Sequence, residues 1–265
     1  MAPELAMKDG AVGAGVLSHL SYSRVNRYLL CPEQYRLYYV AGYRTRVPSG
    51  SLEFGQCVHR SLSDLFNEGV DAAESFVRLW NDYEKQELHF AYRESWKTLR
   101  ERGELLLRKF QDEELPRITS VEACEDRFEL RTTNLDVPFV GVIDLVARLD
   151  DRTTIVDFKT AGSKYAEHEV VLNDQLTAYQ LAKPDAKQAA LCVFVKTKEP
   201  RIDWYVSKRT GAQVAEYLTK VKLVSQDILS GRFYKRPGKW CAQCDFLPIC
   251  MGDEQQANET LVQVA

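Results

Sequence analysis

Two acids and a lysine lie in neighbouring apolar stretches of the chain, joined by a polar turn. Asp144 lies inside the apolar stretch 137–148, and Asp157 and Lys159 lie in the apolar stretch 153–160. Successive side chains of a strand point to opposite faces, so Asp157 and Lys159 share one face. An ionised carboxylate without a partner is costly to bury, so we expect a cation near Asp144. That cation is either Lys159, in a structural ion pair, or Mg²⁺ or Mn²⁺ held by both carboxylates.

A histidine, a glutamine and a tyrosine occupy helical patterns on either side of this predicted hairpin. His59 closes the sequence Gly55-x-x-x-His59 at the start of a predicted helix, where a lone histidine is more often structural. If His59 is instead a ligand, Mn²⁺ becomes a better candidate, since imidazole and carboxylate together suit it. Gln175 and Tyr179 lie four residues apart and therefore share one helix face.

The cysteines suggest a second metal site. The chain has seven, and three of them, Cys241, Cys244 and Cys250, are closely spaced near the C-terminus. Thiolates at such spacing can converge on one metal, which indicates a reducing compartment rather than a disulfide framework. A fourth ligand is missing locally, and Cys31, at a junction between two predicted helices, is the natural candidate. The other cysteines fall in helix or strand patterns and are expected to be buried thiols: Cys57, Cys124 and Cys192.

Length and composition are those of an ordinary globular protein. The 265 residues are 45% apolar and 28% charged, enough for one substantial α/β domain or two small ones. The formal net charge of −3 argues against a protein that coats nucleic acid by bulk positive charge. It does not exclude a nuclease, because a local basic groove can still follow phosphates.

No segment of the sequence suggests a membrane or secretory protein. No run approaches the ~18 apolar residues that cross a bilayer. Residues 1–17 lack the basic start and apolar core of a signal peptide, so we expect a disordered tail. A cytoplasmic protein without a membrane partner is therefore predicted.

Hydrophobic periodicity predicts an α/β fold around a mixed sheet. Helical patterns cover 21–30, 33–40, 61–115 (with breaks at Gly69 and Gly103), 174–182 and 211–229. Strand patterns cover 121–131, 137–148, 153–160, 189–196 and 202–207. We interpret 18–252 as a single domain with a helical insertion at 60–117, followed by a tail at 253–265.

The order of these motifs resembles the RecB-like branch of the PD-(D/E)XK nuclease superfamily. The resemblance runs from Ser21 to Cys250 and includes Gly-x-x-x-His59, Asp144, Asp157-x-Lys159 and Gln175-x-x-x-Tyr179. It implies a restriction-endonuclease-like core, a mixed central sheet flanked by helices.

The resemblance also implies roles for the motif residues. His59, Asp144, Asp157 and the carbonyl of Phe158 would hold Mn²⁺ or Mg²⁺, and Lys159 would orient or help deprotonate a water. Gln175 and Tyr179 would line the DNA path near the active site. The implied activity is exonuclease action on DNA ends or single strands in recombination, repair or DNA processing.

Cys31 and the C-terminal cysteines resemble the iron–sulfur arrangement of AddB-type and CRISPR-associated RecB-like nucleases. That resemblance implies a 4Fe–4S cluster held by Cys31, Cys241, Cys244 and Cys250. A structural Zn²⁺ is the alternative, because four thiolates serve both groups.

A basic and aromatic segment lies directly before the cysteines at 241–250. Its cations are Arg232, Lys235, Arg236 and Lys239, interleaved with Phe233, Tyr234 and Trp240. Such a mixture suits single-stranded DNA, where phosphates meet cations and bases stack on rings. A solvated loop is the alternative.

Two other functions stay open. One is a CRISPR spacer-acquisition nuclease, which gene neighbours would separate from a repair enzyme. The other is a catalytically silent nuclease-fold module that binds DNA or a helicase or recombination partner; the complete set of His59, Asp144, Asp157 and Lys159 argues against it.

Overall fold

The computed structural model describes residues 17–133 and 135–264, so almost all of the expected tail at 1–17 lies outside the described residues. The α-helices are α1 (Tyr22–Leu30), α2 (Pro32–Tyr35), α3 (Gly50–Glu68), α4 (Ala72–Asn81), α5 (Trp96–Lys109), α6 (Glu167–Val171), α7 (Asp174–Ala182), α8 (Gly211–Leu229), α9 (Leu247–Met251) and α10 (Glu254–Thr260). The strands are β1 (Tyr43–Thr45), β2 (Ile118–Leu130), β3 (Phe139–Leu149), β4 (Arg152–Ala161), β5 (Gln188–Val195), β6 (Arg201–Ser207) and β7 (Leu261–Gln263). Among these described helices, none has the length and hydropathy that a bilayer crossing requires.

Five strands of the described chain form a mixed sheet in the order β2-β3-β4-β5-β6. The pairs β3–β4 and β5–β6 are antiparallel, and β4–β5 is parallel. Strand β5 is buried along its whole length, which explains its continuous apolar sequence. The predicted α/β fold with a mixed central sheet flanked by helices is confirmed.

Alternation along β4 divides the side chains of the sheet between two cores. Val156 and Phe158 belong to the core that includes residues of α3, α4 and α5. Ile155 belongs to the core on the other side, which includes Leu176 and Tyr179 of α7. Asp157 and Lys159 have the parity of Ile155, so the backbone directs them toward the α7 side.

The described chain divides into two compact units. The first contains Pro48–Phe128 and Gly141–Tyr217, and the second contains 17–47, Glu129–Val140 and 218–264. The acids, the lysine and His59 belong to the first unit. Cys31 and the cysteines at 241–250 belong to the second.

The C-terminal residues do not form the tail that the sequence predicts at 253–265. Asp253 caps α10 by accepting a hydrogen bond from Gln256 N–H, and β7 pairs antiparallel with β1. Pairing with a strand more than 200 residues away in sequence satisfies the backbone there, and short-range patterns do not reveal such a partner.

The two glycines predicted as helix breaks behave differently. Gly69 ends α3 in the left-handed conformation with φ +70°, as glycine readily does. Gly103 instead lies inside α5, so the predicted break there is wrong. A Cβ at Gly103 would collide with the ring of Phe76 and lie 2.9 Å from the ring of Phe54. The glycine is therefore required by close packing in the core.

Gly103→Ala should destabilise the protein by about 1–3 kcal/mol, because overpacking outweighs the gain in helix propensity. Gly211→Ala is the matched control, since Gly211 begins α8 and a Cβ there meets nothing within 4 Å. Urea denaturation of both variants checks the difference. Equal stability of the two variants would contradict the packing argument.

Candidate metal centre

Helix α3 places His59 against strand β4. Gly55 allows a close approach, because a Cβ there would lie 3.2 Å from Oγ1 of Thr160. One turn later, the His59 ring lies edge-on to Phe158, with ring centroids 6.4 Å apart. His59 is buried, with 5% of its surface exposed. The spacing from Gly55 to His59 thus brings an imidazole to the acidic hairpin.

The antiparallel ladder between β3 and β4 ends just before the two aspartates. Its last pair is Leu145 with Val156, and the same register makes Asp144 and Asp157 the next facing residues. The N–H of Phe158 donates to Oδ2 of Asp144 at 2.7 Å. The Asp144 carboxylate therefore accepts the backbone hydrogen bond that the strand ladder no longer provides. The carboxylates of Asp144 and Asp157 lie at the same end of the ladder.

Asp144 and His59 stabilise each other's charge. Nδ1 of His59 lies 3.4 Å from Oδ1 of Asp144. Burial acts to raise the pKa of Asp144, but the charges of His59 and Lys159 and the Phe158 N–H lower it overall. Burial acts to lower the pKa of His59, and the charge of Asp144 raises it overall. Asp144 is therefore ionised at neutral pH.

Asp157 is a fully buried carboxylate with too few donors. Nζ of Lys159 approaches Oδ2 of Asp157 to 2.6 Å, but neither Asp157 oxygen has a donor in hydrogen-bond alignment among the described residues. Burial and the charge of Asp144 raise the pKa of Asp157, while Lys159 opposes the rise. Buried oxygens that lack donors fit a site for a divalent cation.

Glu125 is a third acid at this site, and the sequence patterns did not indicate it. Three residues, His59, Glu125 and Asp144, each contribute one potential ligand atom, and these three atoms lie within 4.8 Å of one another. Glu125 has φ +53°, an unusual conformation for a residue inside a strand. Ala123 and Phe128 pack against the same core although strict alternation would place them on opposite faces, so the distortion at Glu125 shifts the alternation of β2.

Gln175 and Tyr179 form a hydrogen-bonded pair beside the acids. Nε2 of Gln175 donates to the Tyr179 hydroxyl at 2.7 Å, and both side chains are buried. Burial and the charges of Asp157 and Asp144 raise the pKa of Tyr179, which remains a neutral phenol. The shared helix face is observed, and contact with DNA remains a prediction for this pair.

The cysteines predicted as metal ligands all belong to the second unit. Cys31, Cys241, Cys244 and Cys250 are all half-buried free thiols. Burial raises the pKa of Cys250, Lys235 opposes the rise, and the charges of Cys244 and Cys31 add to it. Nε2 of Gln34 also donates to Sγ of Cys244 at 3.4 Å. Their role as cluster ligands remains a prediction.

The other cysteines lie in the first unit. Cys57 and Cys192 are buried, and Cys124 is half-buried. Burial raises the pKa of Cys57 to about 12 and that of Cys124 to about 11, so both are protonated at neutral pH.

Three of the four cations of the basic segment have partners within the second unit: Arg232, Lys235 and Arg236. Arg232 pairs with Asp227 at 2.6 Å, and Lys235 donates to the carbonyl of Cys250 at 2.9 Å. Arg236 donates to the carbonyl of Leu29. These contacts connect the segments that carry the cysteines, and DNA binding by the three cations remains a prediction.

Comparison with known proteins places this site in a family. A model of the PD-(D/E)XK nuclease superfamily matches residues 19–251. The chain belongs to that superfamily. Nucleases of this superfamily use Mg²⁺ or Mn²⁺, and the buried acids and imidazole of the site are a suitable donor set for either ion.

One solved structure supports the fold. The crystal structure of an exonuclease candidate from Eubacterium rectale is similar, with a TM-score of 0.55 and 14% identity over 86% of this chain and 87% of that one. The crystal structure of SSO0001 is more distant, with a TM-score of 0.37 and 15% identity over 73% of this chain and 81% of that one. No curated protein sequence matches this chain.

Glu125→Gln should weaken Mn²⁺ binding on the order of tenfold, because it removes one anionic ligand group. Glu122→Gln, an exposed position on the same strand, is the matched control and should bind Mn²⁺ normally. Isothermal titration calorimetry measures both affinities. Equal affinity in Glu125→Gln and the wild type would exclude Glu125 from the metal centre.

Proposed function

We propose that this protein is a divalent-metal-dependent DNA nuclease. The observation that carries the proposal is the convergence of His59, Glu125 and Asp144 where the β3–β4 ladder ends, beside Asp157 and Lys159. A structural ion pair alone would explain Lys159 and Asp157. It would not explain two further acids and an imidazole at the same place.

The metal ligands proposed are His59, Asp144, Asp157 and the carbonyl of Phe158, to which the structure leads us to add Glu125. When bound there, Mg²⁺ or Mn²⁺ lowers the pKa of a coordinated water and polarises the scissile phosphate. The Phe158 N–H holds Asp144 in orientation, as residues behind a metal ligand commonly do.

Lys159 is the proposed catalytic cation. Its Nζ lies beside Asp157 and is largely shielded from solvent, where an ammonium is electrostatically more effective than in water. As an ammonium it would orient the attacking water and offset charge that develops on the phosphate. As a neutral amine it would help to deprotonate that water. The Gln175–Tyr179 pair would support this end of the site and border the DNA path.

The substrate proposed is DNA with free ends or single-stranded regions. This assignment follows the RecB-like motif order, and the description of the Eubacterium rectale protein as an exonuclease candidate agrees with it. Recombination, repair or DNA processing is the proposed context, with a helicase or recombination protein as partner. CRISPR spacer acquisition is the alternative context.

Lys159→Ala should reduce Mn²⁺-dependent degradation of end-labelled single-stranded DNA by about 10²–10³-fold, because it removes the cation nearest the reacting phosphate. Lys164→Ala, at an exposed position beyond β4, is the control and should cleave normally. Gel analysis measures cleavage, and circular dichroism checks the fold.

Undiminished cleavage by Lys159→Ala would refute the active-site assignment. DNA binding by the wild type without cleavage under Mg²⁺ or Mn²⁺ would instead support the silent binding module.

We also propose that Cys31, Cys241, Cys244 and Cys250 hold a 4Fe–4S cluster. The support is the donor set itself: four free, half-buried thiols in one unit, with the charges of Cys31 and Cys244 acting on Cys250. Cysteine thiolates are the usual ligands of such clusters. The proposed role is structural, since the cluster would join residues that are far apart in sequence.

Anaerobically purified protein should therefore be brown, with a broad absorbance band near ~400 nm. Cys244→Ser should lose the band and the bound iron, because it removes one ligand. Cys192→Ser, at a buried position in the first unit, is the matched control and should keep both. A colourless wild type that contains zinc would show that the thiols form a structural zinc site.

A further inference from the structure

The N-terminal segment of the second unit is strongly basic within an acidic protein. Residues 18–47 contain five arginines and one acid, Glu33, whereas the whole chain has a net charge of −3. Glu33 is already paired, because Arg36 donates to both of its carboxylate oxygens at 2.7 and 2.8 Å. The segment therefore contains no second acid for Arg27, Arg44 and Arg46.

Two of these arginines enclose one tyrosine ring. The guanidinium carbon of Arg27 lies 3.9 Å from the centroid of the Tyr38 ring, and that of Arg44 lies 3.5 Å from it. Two guanidinium groups so close to one centroid must occupy opposite faces, because they would collide on the same face. Arg27, Tyr38 and Arg44 thus form a three-layer arrangement that we call the arginine–tyrosine stack.

The stack holds two like charges close together without a neutralising acid. Neither Arg27 nor Arg44 lies within salt-bridge distance of a carboxylate in the part of the chain that the structure describes. Cation–π contact stabilises each guanidinium on the ring, but it does not cancel their mutual repulsion. An anion bound alongside the stack would reduce that repulsion.

The structure fixes the orientation of the stack before any ligand binds. Nη1 of Arg44 donates to the carbonyls of Tyr38 and Tyr43 at 2.6 and 2.8 Å, which leaves Nε and Nη2 for other acceptors. The guanidinium of Arg27 donates to no acceptor among the described residues, so its N–H groups remain for a ligand. Both arginines are half-buried, and part of each side chain is open to solvent.

Two further arginines lie near the arginine–tyrosine stack. Arg24 lies over the adjacent Tyr39 ring at 4.4 Å, and Arg27 lies 5.7 Å from the same ring. Arg46 uses Nε to bind the carbonyl of Asn258. A series of arginines beside aromatic rings suits a ligand with successive phosphates and stacking bases better than a single phosphate ion.

We propose that the arginine–tyrosine stack binds the phosphodiester backbone of a single-stranded nucleic acid. The identity of this ligand rests on the proposed nuclease function. The stack is distinct from the basic segment at 232–239, where Arg232, Lys235 and Arg236 bind an acid and two carbonyls of the protein itself. Within the stack, the guanidinium of Arg27 has more N–H donors available for a phosphate than that of Arg44, whose Nη1 binds two carbonyls.

Binding of fluorescein-labelled oligothymidine is measured by anisotropy at several salt concentrations, in EDTA, on the Lys159→Ala background. Arg27→Gln should raise Kd about 3- to 10-fold and reduce the slope of log K against log salt by about 0.7, because one phosphate contact is lost. Arg36→Gln is the matched control, since Glu33 already neutralises Arg36, and Kd should change less than about twofold. Arg27→Lys should retain most of the salt slope, because the charge remains.

Unchanged Kd and slope in Arg27→Gln would overturn the proposal. Equal losses in Arg27→Gln and Arg27→Lys would also overturn it, because they would indicate a packing role for the guanidinium. Displacement of the DNA by inorganic phosphate at constant ionic strength would point to a free-anion site. A wild type that fails to cleave DNA with Mn²⁺, together with weaker binding by Arg27→Gln, would refute the nuclease function and leave the binding site standing.

Discussion

A carboxylate buried inside a sheet needs positive charge around it, and the first unit is built to provide that charge. Asp157 is fully buried on β4, and the end of the β3–β4 ladder brings Asp144 opposite it. One lysine cannot satisfy two carboxylates and a nearby third acid at Glu125. Lys159 and His59 provide part of the positive charge, and the three acids with the imidazole are a donor set that suits a divalent cation.

The surrounding elements follow from this requirement. Helix α3 must approach β4 closely for His59 to reach Asp144, and Gly55 permits that approach. The Phe158 N–H, released at the end of the ladder, orients Asp144. On the α7 side, Gln175 donates to the Tyr179 hydroxyl next to the acids.

The cations of the second unit differ in their partners. Its cations do not share one role: Arg232, Lys235 and Arg236 bind groups of the protein near the cysteines. Arg27 and Arg44 instead flank a tyrosine without an acid. A sequence pattern of basic and aromatic residues was present in both segments, and only the contacts distinguish a structural role from a surface open to phosphate.

The sequence by itself determined most of the elements and the main motif residues. Its periodicity predicted 174–182 and 211–229 as helices, and α7 and α8 have those bounds, because hydrophobic spacing is a local property. Alternation likewise indicated that Asp157 and Lys159 share a face. Only the tertiary structure decided three other features, because they depend on contacts between distant residues or on unusual backbone dihedral angles. Glu125 joins the site through a positive φ, Gly103 remains helical because Phe76 fills the space beside it, and residues 261–263 become a strand because β1 is their partner.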